Sequence, residues 1–271
     1  MTKKVSLGLM ISVALLVSLA AGLVFASNSW SKYHWDISTA DSITDPLNFG
    51  DQLTTNAWDI SLAGASSDWN VSVLKNEIIA GSNTDCDPVL GGVEVCNDVY
   101  GENGWLGIAQ VWVYRGKDGH IAQGLVKVND TYFNMPRYDT QAWRDYVVCQ
   151  EVGHTLGLGH QDETFDNANL GTCMDYTNDP DGTISAQLDN RHPNEHDYDV
   201  LTEKYAYLNE ISGGGKGGGN GKGGSKKGDP PGQSVREWGK AISADGKGRS
   251  DLFVLDVGNG QRLFTHVIWA D

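Results

Sequence analysis

Basic side chains are scarce in this chain of 271 residues: 20 Lys and Arg stand against 35 Asp and Glu, a formal net charge of −15. Nucleic acid favours basic surfaces, so that partner is set aside. Long apolar runs are nearly absent as well. A single one, 5–25, could approach the thickness of a bilayer, which excludes a multi-span membrane protein. Cysteine is limited to Cys86, Cys96, Cys149 and Cys173, and their spacings are not those of a structural zinc finger. No segment has the EF-hand calcium pattern.

What is present begins with Lys3 and Lys4 ahead of that apolar run, closing on Val24-Phe25-Ala26. Charge, core and small-residue ending are those of a signal peptide, 1–26, so the mature protein is expected to be secreted, without stable membrane insertion. An uncleaved anchor is the alternative. The rest divides by composition into a body, 27–211, a Gly/Lys-rich linker, 212–232, and a short β-rich segment, 233–271. From 27 to 210 there are 9 basic and 29 acidic residues (9 − 29 = −20); from 211 to 271 there are 9 and 6 (9 − 6 = +3). The linker lysines suit loose contact with anionic cell-surface polymers. Four cysteines in an oxidising compartment suggest two disulfides with three pairings open. We read Cys86–Cys96 as a local loop and Cys149–Cys173 as the longer tie.

Along the body, 31–35 is expected to open a strand, 38–50 to be loop, and 53–63 to form a helix ending at Gly64. The run 69–79, with Val71, Val73 and Ile79, reads as a strand, and 81–92 as a loop. Trp105–Tyr114 and His120–Val128 flank the turn residues of Arg115–Gly119 and read as a hairpin. Asp139 or Thr140 can cap a helix carrying the stripe Trp143, Tyr146, Val147, Val148 and Val152. Asn194 can cap a closing helix with Tyr198, Leu201, Tyr205 and Leu208 on one face. In the last segment Gly258-Asn259-Gly260 is a tight turn, so a small hairpin is expected, docked on a partner or on the body.

The densest chemistry lies in V-V-C-Q-E-V-G-H-T-L-G-L-G-H, Val147 to His160. Gln150 and His154 are one helical turn apart on one face, with Glu151 beside them. Gly157 can end the helix in a left-handed residue and let His160 turn back. Two imidazoles and a carboxylate so arranged are what a catalytic zinc site needs. The pattern resembles that of the metzincin zinc peptidases, H-E-x-x-H-x-x-G-x-x-H, with Gln150 where the first histidine belongs. G-T-C-M-D-Y, Gly171 to Tyr176, resembles the Met-turn of that family. The likeness spans roughly 30–208.

That resemblance implies an α+β fold: a mixed twisted sheet with an active-site helix, a Met-turn and a C-terminal helix. It implies a secreted endopeptidase acting on peptide or protein substrates. Zn2+ would be held by Gln150, His154 and His160, with Glu151 as general base. Tyr176 would support the oxyanion, and Met174 would form an apolar floor. It further implies a free edge strand, Trp105, Leu106, Gly107, Ile108 and Ala109, to pair with the substrate backbone, with Gly107 permitting close approach. Read from the residues alone, zinc on Gln150 and both histidines, zinc on the histidines with Asp162, and no metal all stay open. An amide oxygen is a poorer zinc donor than an imidazole. Asp162, Asp166 and Asn167, or Asp179 and Asp181 before Gly182, are candidates for structural Ca2+, against the simpler reading as solvated turns. A peptidase-like binding module without turnover is the alternative function. An adhesion protein working through the linker and hairpin is the third.

Overall fold

A computed structural model describes residues 28–36, 46–206 and 234–271. The expected signal peptide and the Gly/Lys-rich linker lie outside the described residues. Among the described residues the fold is α+β: nine strands in one mixed sheet and four α-helices. Strand β1 is His34–Trp35, β2 Leu47–Gln52, β3 Asn76–Ala80, β4 Gly92–Asp98, β5 Trp105–Tyr114, β6 His120–Asn129, β7 Lys240–Ser243, β8 Leu252–Gly258 and β9 Gln261–Trp269. The helices are α1 Asn56–Trp69, α2 Asp130–Phe133, α3 Gln141–Thr155 and α4 Glu195–Lys204. No helix among the described residues is long and apolar enough to cross a membrane.

The sheet runs β3-β2-β4-β6-β5-β9-β8-β7, with β1 beside the start of β6. Strands β2, β3, β4 and β6 pair in parallel, whereas β5 to β9 pair antiparallel. Strand β5 sits near the middle, and its run W-L-G-I-A-Q-V-W-V is buried on both faces. A strand covered on both faces needs apolar residues at both alternating positions, and this one has them. Helices α1 and α3 lie against one face. There Phe49, Leu62, Trp69, Val126, Tyr146, Val147, Phe264 and Ile268 join one core. On the other face Trp105, Ile108, Phe253 and Val267 close around the fully buried Trp238.

The hairpin β5–β6, helix α3 and helix α4 stand where the sequence places them, and the two disulfides are Cys86–Cys96 and Cys149–Cys173. Four elements differ. Helix α1 runs through Gly64 to Trp69, because Trp69 completes its buried face and donates its indole N–H to the Cys149 carbonyl. The expected strand 69–79 shrinks to β3, since Val71 and Val73 point into solvent and Asn70 accepts the Asn76 backbone N–H across a turn. Residues 47–50, expected in a loop, form the start of β2, and β4 was not anticipated.

The largest correction concerns the edge. Trp105, Gly107, Ile108 and Ala109 are not free to receive a peptide, because β9 pairs antiparallel along β5 from Trp105 to Tyr114. Leu106, at the register shift in this pairing, is fully buried too. The C-terminal hairpin thus docks on the body, one of the two expected placements, and extends the body's own sheet. Gly107 serves a helix rather than a substrate: a Cβ there would meet Val147 Cγ1 at 2.6 Å and Glu151 Cγ at 3.0 Å. Its lack of a side chain lets α3 lie close on β5.

Candidate metal site

Helix α3 positions three of the expected residues. Thr140 caps its start by accepting the Trp143 N–H. At the other end Gly157 has φ +97°, and the N–H groups of Gly157 and Leu158 donate to the carbonyls of His154 and Gly153. That is the double-bonded left-handed cap the glycine predicts, and it turns the chain so that His160 returns to His154. Their ring centroids are 4.6 Å apart at 83°. The Cys149–Cys173 disulfide ties α3 to the segment carrying Met174. Met174 lies directly under the helix, since a Cβ on Gly153 would meet its Sδ at 2.6 Å.

The nitrogens that orient the two rings are accounted for. His154 Nδ1 is 2.9 Å from the Leu158 carbonyl oxygen, which only an N–H can satisfy. His160 Nδ1 is 3.3 Å from Glu163 Oε1 and 3.9 Å from Asp251 Oδ2. Carbonyl and carboxylate partners on Nδ1 leave the Nε2 lone pair for something else, the usual arrangement behind a metal-bound imidazole.

A third imidazole stands beside them that the motif does not contain. His266, on β9 opposite Ala109, stacks on His154 with centroids 4.1 Å apart and planes 15° apart. Along β9 the side chains alternate: Phe264, His266 and Ile268 face α3, while Leu263, Thr265 and Val267 face away. In R-L-F-T-H-V-I-W that alternation was readable, but nothing in the sequence told which element the face would meet. Asp251, just before β8, arrives by the same route.

Several polar atoms here are buried without a hydrogen-bond partner: Gln150 Oε1, both Glu151 oxygens, His160 Nε2 and His266 Nε2. Each such atom costs about 1–3 kcal/mol if left unpaired. Imidazole nitrogens with a carboxylate beside them are the kind of donors that zinc takes, although these unpartnered atoms do not form one group within ligand distance of each other. Gln150 is less available than its position on the helix implies. Its amide nitrogen donates to the Cys173 carbonyl at 2.8 Å and faces Tyr146 Oη at 3.2 Å, leaving only the oxygen.

Burial dominates the protonation states. It raises the Glu151 carboxyl well above the usual range, partly offset by the approaching backbone amides of Ile268 and Ala109. Burial pushes His154 well below an ordinary histidine, with His266 and His160 adding to the effect. His266 is lowered in the same way, by burial first and then by His160. Tyr176 lies 4.4 Å from the His160 ring, and burial, then Asp251, raises its hydroxyl well above the usual value. That hydroxyl is shared between Val267 O at 3.3 Å and Asp251 Oδ2 at 3.4 Å.

Among the described residues, His160, Glu163 and Asp251 form the group of His, Cys, Asp and Glu whose donor atoms all lie within 4.8 Å of one another. They line an open pocket of about 210 Å³ together with His266, Trp30 and Gly159. The calcium candidates accept hydrogen bonds from their own turns. Asp162 accepts from Thr164 N and Asn167, Asp179 from Ile184 N and Ser185 N, and Asp181 from Thr183. Asp166 accepts from Asn178. No protein-family model matches the chain, and no curated protein matches it either.

Proposed function

We propose that this protein is a secreted zinc-dependent endopeptidase of the metzincin type, described here with its substrate edge covered. The observation that carries the reading is the pairing of His154 and His160, rings 4.6 Å apart, beside a Glu151 carboxylate that is wholly buried without a hydrogen bond of full geometry. Bound zinc would polarise the scissile carbonyl and acidify the attacking water. His154 and His160 would hold the ion through Nε2. Glu151, whose affinity for protons is raised by burial, would take the water's proton and return it to the leaving amine. Met174 supports the helix from below. Tyr176 would reach a developing oxyanion only after releasing Asp251 and Val267.

A peptide could pair with Trp105–Ala109 only where β9 has separated from β5. Two disulfides suit an oxidising extracellular compartment. The test is cleavage of a peptide library by zinc-loaded mature protein, with and without chelator. Glu151→Gln is expected to lower the rate by about 10²–10⁴ while zinc content stays the same. Chelator-insensitive cleavage, or equal rates in the variant, would remove the peptidase reading. The alternative is a metal-holding binding module without turnover. It is favoured by the same β9 cover, and zinc binding with no cleavage under any condition would establish it.

A further inference from the structure

We propose a divalent-cation site, suited to zinc, on His160 Nδ1, Glu163 and Asp251, separate from the one that the helix motif implies. It goes beyond the peptidase reading and does not rest on it, since it uses neither His154 nor Glu151. Its first support is spacing. The donor atoms of these three side chains all lie within 4.8 Å of one another. His160 Nδ1 stands 3.3 Å from Glu163 Oε1 and 3.9 Å from Asp251 Oδ2. A charge-assisted hydrogen bond would draw such atoms to about 2.7–2.9 Å. Ligands that share one zinc at about 2.1 Å stand about 3.4 Å apart at tetrahedral angles.

The second support is an unmet carboxylate. The Asp251 side chain is 1 % exposed, and its Oδ1 is buried without a hydrogen-bond partner. Among the described residues the ion-pair partner of both Glu163 and Asp251 is His160, not a lysine or arginine. Taking a carboxylate out of water without a firm counter-charge is costly, and a cation on this group supplies one. The third support is the scaffold. Gly246 N–H donates to the Glu163 carbonyl, Asp251 N–H to the Ser243 carbonyl and Val267 N–H to the Asp251 carbonyl, so the backbones that carry the acids are tied. All three side chains line the pocket of about 210 Å³, which has room for water to complete the coordination. Calcium takes six to eight oxygens, whereas an imidazole with two carboxylates is a zinc-like set. An ion on Nδ1 leaves Nε2 to carry the ring proton, or to bridge as imidazolate to a zinc on His154 where both sites are filled. Either way it joins the loop past α3 to the residue that leads into β8.

The test uses the full mature chain, stripped with chelator and titrated with zinc against a chromophoric competitor. X-ray absorption of the bound zinc counts its imidazoles. The unmodified chain is expected to hold a zinc with one imidazole and carboxylate oxygens. Asp251→Asn and Glu163→Gln are each expected to weaken it at least about 100-fold, the upper range for loss of groups that support a metal ligand. His154→Ala is expected to change it less than about threefold. Near-ultraviolet circular dichroism reports whether each variant retains its packing. Glu163 is half-exposed, so Glu163→Gln keeps the proposal open to test if Asp251→Asn does not fold. A second zinc that disappears in His154→Ala while the first persists supports both readings. A single zinc that carries two imidazoles, or that His154→Ala abolishes, overturns the proposal and leaves the peptidase reading standing. Unchanged affinity in both acid variants overturns it equally. Failure of the unmodified chain to take up zinc overturns the two together.

Discussion

Helix α3 and strand β9 each bring histidine to the same point, and they are held there by different means. The helix is pinned from every side: a disulfide to Cys173, a left-handed glycine cap, Gly107 bringing it onto β5, and Gly153 seating it on Met174. His154 on the helix, and His160 just past its cap, are held by the body alone. Strand β9 is covalently joined to the body only through the segment that follows 206, and it reaches the site by backbone pairing with β5 and by burial of Phe264 and Ile268. A side chain on the helix is preorganised, whereas one on the strand is present only while the strand is docked. Any ligand that touched both regions would favour the docked state of the strand, because it would bind only the state that holds both.

Removing 234–271 tests that contrast most severely. The truncation strips β5 of its partner and uncovers Trp105 and Ile108, which the C-terminal segment buries with Trp238, Phe253 and Val267. At about 1.5–3 kcal/mol for each large apolar side chain, the expected destabilisation is on the order of 5 kcal/mol or more. It should appear as a large fall in the urea midpoint and as self-association through the bared strand edge. A truncated body that unfolds at the full-length midpoint and stays monomeric would show β9 to be an appendage, ending the comparison.

The disulfides sharpen it from the other side. Loop-closure entropy gives about 3.5 kcal/mol for Cys149–Cys173, whose cysteines are 24 apart, and about 2.7 kcal/mol for Cys86–Cys96, 10 apart. Replacing either pair by serine should therefore lower stability by similar amounts. Zinc affinity should separate them. Only Cys149–Cys173 flanks Gln150 and holds α3 to the Met174 segment, so only its loss is expected to weaken metal binding in protein that remains folded. Equal effects on affinity would mean that α3 is held by packing alone.

The same division decides how much could be read from the chain beforehand. His154, Glu151 and His160 were legible because a helix and its cap convert spacing into position: residues four apart share a face, and Gly157 reverses the chain. Thr140 and Asn194 announced their helices by local hydrogen bonding, and in α4 the Asn194–Asp197 capping box is complete. His266 was not legible, because a strand fixes only which side a residue faces. Which element waits on that side depends on pairing between distant segments. The missed strands β2 and β4 have the same origin. L-N-F-G-D-Q carries polar residues and a glycine that suggest a loop, yet Gly50 is needed where the Glu94 side chain lies against it. Gln52 then donates to that carboxylate. Likewise the free edge expected of β5 required knowing where the last strand of the chain would lie.

The smallest expected effect is on the pH dependence of the metal-free protein, and it divides along the same line. His154 on the helix and His266 on the strand both have folded pKa values depressed by burial. Below the unfolded value near 6.5, the unfolded chain therefore binds protons that the folded chain refuses. Their stability is fully present above about pH 6.5 and is lost as pH falls toward the folded values. Glu151 acts in the opposite sense: its raised folded pKa means that the folded chain holds the extra proton, so its contribution is lost as pH rises from the unfolded carboxylate range. Asp175, raised by burial to about 6, and Asp251, also raised by burial, act in the same sense as Glu151, so the histidine share is read from a histidine variant rather than from the total. In His266→Asn one proton of that linkage disappears, so the stability difference between pH 7.5 and 5.5 should shrink, by at most about 1.4 kcal/mol. Urea unfolding of chelator-treated protein at the two pH values measures it. A variant that keeps the full acid limb would mean that His266 is solvated rather than docked in the chelator-treated protein, and the pairing of β9 on β5 would then be looser than its register implies.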